Sequence, residues 1–80
     1  MSQTRFILLA DAEPGLLPRV VAPFARRDLM PDQVTARRQG DLMYVEIALP
    51  GPFGPELRLA AGNLRQIVGF RQLTVEGAAA

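Results

Sequence analysis

Hydrophobic and polar positions along these 80 residues switch period several times, and each switch marks an element. Residues 4–10 form an apolar run with Phe6, Leu8 and Ala10 on one side and Ile7 and Leu9 on the other, the pattern of a strand covered on both faces. Leu16, Leu17, Val20, Val21 and Phe24 follow at helical spacing and predict a helix over 15–27. Pro14 and Gly15 punctuate the turn before it, where Gly15 permits positive φ or close backbone approach. Pro18 suits the first turn; Pro23 lies deeper and should bend the helix by freeing the carbonyl of Arg19, unless the helix is shorter than the stripe. Asp11 and Glu13 suit the positive pole of the helix, and Arg26 and Arg27 suit the negative one.

The second half repeats this layout. A connector over 28–32 leads to a strand over 33–38 and a tight turn at Gly40–Asp41. In the strand over 42–49, Met43, Val45, Ile47 and Leu49 alternate with Tyr44, Glu46 and Ala48, which puts the first set in a core. Three prolines between 50 and 55 make a stiff loop rather than a domain linker. Residues 56–66 read as a second helix buried through Leu57, Ala60, Ala61 and Leu64, with Ile67 at its end. Within it Gly62 costs about 1 kcal/mol against alanine, a cost that close packing on the sheet would offset. A last strand covers 67–76, and 77–80 form a frayed tail.

The order is β-α-β-β-α-β, two split βαβ halves. With right-handed crossovers it predicts an α+β, ferredoxin-like fold: a four-stranded antiparallel sheet with both helices on one face. The chain, 1–80, reads as a single domain with its ordered core at about 4–76. The other sheet face is left bare, and Phe6, Leu8, Thr35, Arg37, Tyr44 and Glu46 are candidates to point there. A chain this small with bare edges is expected to pair with another copy or another protein.

Composition narrows the chemistry. There is no cysteine and no histidine, so disulfides, thiolate metal sites, the usual general base and the usual pH switch are absent. Asp11 and Glu13 are better explained by the helix terminus than as an acid–base pair, and Asp11, Glu13 and Asp32 are a poor basis for a metal site. No enzyme constellation, metal or cofactor is therefore expected. The net charge of +1, the lack of lysine and the scattering of nine arginines disfavour nucleic acid, as does the shortage of aromatics on the central strands. Apolar runs are too short to span a bilayer, and the first residues lack a secretory h-region, so a soluble cytoplasmic protein is expected.

Asp11-Ala12-Glu13-Pro14-Gly15-Leu16-Leu17-Pro18-Arg19-Val20, placed after a short apolar strand, resembles the opening of an ACT domain, an amino-acid-sensing module of the same β-α-β-β-α-β order. The resemblance covers about 4–76. Phe24-Ala25-Arg26-Arg27 with Val34-Thr35-Ala36, and Leu64-Arg65-Gln66-Ile67-Val68-Gly69-Phe70, are similar to segments of acetohydroxyacid (acetolactate) synthase small subunits. The resemblance implies a regulatory subunit that binds and activates a thiamin-diphosphate-dependent catalytic subunit in branched-chain amino-acid biosynthesis. A free-standing homodimeric amino-acid sensor is the alternative. It also implies a homodimer paired through the first helix and second strand, by Val20, Phe24, Val34 and Ala36. Amino-acid binding would fall to Asp11, Ala12, Glu13, Gly15, Leu16 and Met30. Effector-binding members carry Asn or Asp three positions before the loop glycine. Here that position is Ala12, which implies a weak or absent effector response.

Overall fold

The computed structural model describes residues 2–77, and within them the element order is the predicted one. The strands are β1 (Gln3–Asp11), β2 (Gln33–Gln39), β3 (Leu42–Pro50) and β4 (Phe70–Gly77); the helices are α1 (Leu16–Ala25) and α2 (Pro55–Leu64). They form one antiparallel sheet in the order β2-β3-β1-β4, with β1 and β3 in the centre. No helix among the described residues is long and apolar enough to cross a membrane.

A single core joins the helices to one face of the sheet. Phe6, Leu8 and Ala10 of β1 and Val45, Ile47 and Leu49 of β3 pack with Leu16, Val20 and Phe24 of α1 and with Leu57, Ala60, Ala61 and Leu64 of α2. Phe6 sits at its centre, with ring centroids 5.4 Å from Phe24 and 6.3 Å, edge-on, from Phe53. Phe6 and Leu8 therefore do not lie on the open face, where they were sought. That face takes Ile7 and Leu9 from β1, beside Thr35, Arg37, Tyr44 and Glu46. Both sides of β1 are apolar, so period alone could not choose between them. Thr4 is the buried polar residue of the core side, and its hydroxyl donates to the Gly51 carbonyl at 3.0 Å.

α1 is shorter than the stripe predicts. It ends through a Schellman closure: Leu29 N–H donates to Phe24 O (2.9 Å), Asp28 N–H donates to Ala25 O (3.1 Å), and Asp28 takes φ 55°. Arg27 replaces part of the lost helix bonding. Its guanidinium donates to the Pro23 carbonyl and to Asn63 Oδ1 of α2, both at 2.8 Å, tying the helix ends together. Because Asp28 occupies a left-handed conformation that favours glycine, Asp28→Gly should stabilise the chain by about 0.5–1 kcal/mol in urea denaturation.

α2 starts at Pro55, in the first-turn position that tolerates proline, and stops at Leu64 instead of Gln66. A side chain at Gly62 would meet nothing within 4 Å, so close packing is not what keeps a glycine there. Gly62→Ala is expected to add about 0.5–1 kcal/mol of stability, seen as a higher denaturation midpoint at unchanged slope. Residues 67–70, read as the start of the last strand, form a turn closed by Phe70 N–H to Ile67 O (3.0 Å), with Gly69 at φ 88°. At the other end β4 includes Gly77, which pairs with Thr4; the rest of the expected tail lies outside the described residues.

Candidate functional site

The β1–α1 loop is fixed from three sides. Asp11 N–H donates to Gly69 O (2.9 Å), Ala12 N–H to Asp41 O in the β2–β3 hairpin (2.8 Å), and Leu16 N–H to Glu13 O (3.0 Å). Ala12, Glu13 and Pro14 thereby line a shallow pocket of about 340 Å³ with Leu17, Arg38 and Met43. The acidic residues flanking Ala12 are already engaged. Arg71 Nε meets Asp11 Oδ1 at 2.8 Å and Arg19 Nη1 meets Glu13 Oε1 at 2.9 Å, both pairs half-exposed. Such exposed pairs are worth about 0–1 kcal/mol each, so they orient the carboxylates more than they stabilise the fold.

Gly15 adopts φ −85°, not the left-handed region, and the group approaching it is the Arg19 guanidinium, 3.3 Å from where a Cβ would lie. The bare Cα thus accommodates a side chain of the same helix. Leu16, also sought as a ligand contact, is fully buried in the core. Met30 is 80% exposed but lines a different groove. Of the six expected ligand residues, the structure places only Ala12 and Glu13 on this pocket's wall. Asp32 lies immediately before β2, its carboxylate 3.5 Å from the Gln3 amide, and among the described residues no three acidic side chains converge as metal ligands.

The second groove, about 480 Å³, runs between α1 and β2 and is lined by Val21, Phe24, Leu29, Met30, Pro31 and Val34, with Ala25 and Asp28 at its rim. Val20 and Phe24, expected at a dimer contact, are buried inside the monomer, Phe24 only as the groove's floor. The large apolar residues that α1 offers to its surroundings are Leu17 and Val21, each 39% exposed. Val34 (45%) and the exposed Ala36 come from β2, all seven residues of which are exposed along a sheet edge. The sequence signal for Leu17 and Val21 was present: an apolar stripe wider than one buried helix face needs.

This βαββαβ sheet, with one covered and one open face, places the chain in the ferredoxin-like class of α+β folds. The sequence matches the model of the ACT-like domain family over residues 1–80, and the chain belongs to that family, a regulatory-type module. Its fold is shared by an uncharacterised protein from Thermotoga maritima (10% identity, TM-score 0.78, 99% of this chain and 100% of that one). It is also shared by the ACT domain of a GTP pyrophosphokinase from Chlorobium tepidum (11%, 0.68, 98% and 86%). A third is the regulatory subunit of aspartate kinase from Thermus thermophilus (18%, 0.73, 94% of this chain and 50% of that one). No curated protein matches the sequence.

Proposed function

We propose that this ACT-like chain is a non-catalytic regulatory subunit that pairs with a second copy and binds and activates an acetohydroxyacid synthase catalytic subunit. The observation that carries the regulatory reading is where the polar groups of the β1–α1 loop are spent. Asp11 and Glu13 are held by Arg71 and Arg19, and the position between them is alanine. A zwitterion entering the 340 Å³ pocket meets Glu13 already turned onto Arg19 and finds at Ala12 no polar side chain to hold it. What the chain does offer is surface: an exposed edge strand beside the apolar groove of Val21, Met30 and Val34. Side-by-side pairing through α1 and β2 would cover both and join two sheets into one of eight strands. The choice of synthase as partner rests on the sequence similarities at 24–27, 34–36 and 64–70.

Activation of this kind works by differential binding, the subunit preferring the active arrangement of its partner. Gel filtration of the purified chain mixed with the synthase of the same organism tests the association, and co-elution is the expected result. Separate elution at micromolar concentrations would favour the free-standing sensor. Ligand response is tested by calorimetry with valine and isoleucine. The natural chain should bind them weakly or not at all. Ala12→Asn, which adds one hydrogen-bonding group worth about 1 kcal/mol to the pocket wall, should bind several-fold better.

A further inference from the structure

We infer that the open face of the sheet is a contact between copies of this chain, packed face to face about a two-fold axis crossing the strands at the row Ala36–Val45–Leu8–Leu73. The register defines that row: Ala36 pairs with Val45, Val45 with Leu8, and Leu8 with Leu73. A two-fold axis lying between two such sheets, perpendicular to the strands, stacks every strand over its own copy in reverse. Each open-face residue then meets the one equally far on the other side of the row.

Those pairs are complementary around the middle of the face. On β1, Ile7 meets Leu9 and Arg5 meets Asp11; on β3, Tyr44 meets Glu46. On β2, Thr35 meets Arg37; on β4, Gln72 meets Thr74. No like charges oppose one another in these pairs, and on β1 apolar residues meet apolar ones. Within each chain Arg5 is already turned onto Glu46 (3.1 Å) and the Arg37 guanidinium lies 5.8 Å from the Tyr44 ring centre, so the polar rim is ordered in advance. Ile7, Thr35, Arg37, Tyr44 and Glu46 frame a dish of about 400 Å³, and the pairing sets Leu9, Thr35, Arg37, Tyr44 and Glu46 of the second copy over it.

Area decides the size of the assembly. One four-stranded face spans roughly 450 Å² from strand spacing and rise, below the ~800 Å² per partner of a stable interface. Two faces joined side by side through β2 reach that size. The face contact therefore rests on the side-by-side pairing proposed above and implies a tetramer. The two pairings are geometrically compatible in the side-by-side register that sets Ala36, the midpoint of β2 (Gln33–Gln39), opposite its own copy.

Sedimentation equilibrium of the full chain and two variants separates the contacts. The natural chain should be a tetramer, Leu9→Arg a dimer and Val34→Asp a monomer, each with an unchanged circular dichroism spectrum. Because the chain has no cysteine, Ile7→Cys and Leu9→Cys chains can be mixed and treated with a short bis-maleimide. The product linking position 7 to position 9 should exceed both same-site products at least threefold. A dimeric natural chain with monomeric Val34→Asp keeps the side-by-side pairing and overturns the face contact. So does an unchanged mass for Leu9→Arg, or linking that does not favour 7 to 9. Protection of the Ile7→Cys thiol only when the synthase is added would assign the face to that partner and likewise overturn it.

Discussion

Phe6→Ala should be strongly destabilising, with a urea midpoint far below that of the natural chain. The Phe6 side chain is fully buried between Phe24 and Phe53, and truncating a buried phenylalanine costs about 3–5 kcal/mol in transfer and cavity terms. A domain of this size has roughly 4–12 kcal/mol in total, so the loss removes a large share. The adjacent Ile7→Ala touches the half-exposed open face and should cost about 1 kcal/mol in dilute protein, where no partner covers it. Urea denaturation of the pair measures which way β1 faces. Equal losses at both positions would mean that the two faces have been misassigned.

Val34→Asp has the other large expected effect, and it falls on assembly rather than folding. Val34 lies on the helix side of the edge strand, opposite Ile47, and is already 45% exposed, so the monomer should lose no more than about 0.5 kcal/mol. In a side-by-side dimer the two-fold introduces two unpaired carboxylates beside the groove of Val21 and Met30. At about 2 kcal/mol each, they weaken association roughly a thousand-fold. Analytical ultracentrifugation should show the variant as a monomer at concentrations where the natural chain is assembled. An assembly that survives the substitution would place the contact elsewhere.

The sequence carried the topology because its elements differ in period and its turns are marked by Gly40 and the prolines at 50–55. β3 was the easiest to read, since Met43, Val45, Ile47 and Leu49 alternate with a mixed set. β1 was ambiguous because Ile7 and Leu9 are as apolar as Phe6 and Leu8, and only the placement of both helices decides which set is covered. The run Ile67-Val68-Gly69-Phe70 looked like a strand by composition; the positive φ of Gly69 makes it a turn. The candidate site was legible as a location and not as a geometry. Arg71 reaches Asp11 from sixty residues away, and Arg19 turns back over Gly15 onto Glu13, pairings that depend on the closed fold. Leu17 and Val21 were read as part of the buried stripe, whereas their exposure is what distinguishes the α1–β2 surface.

Titrating the purified chain into the acetohydroxyacid synthase proposed as its partner, while following turnover, tests the regulatory assignment most directly. The account predicts a saturable rise on the order of tenfold, which requires only about 1.4 kcal/mol of preference for the active arrangement. The rise should persist in the presence of valine or isoleucine, because the β1–α1 loop has its acids committed to Arg19 and Arg71. Turnover that stays flat at every ratio of the two proteins would contradict it.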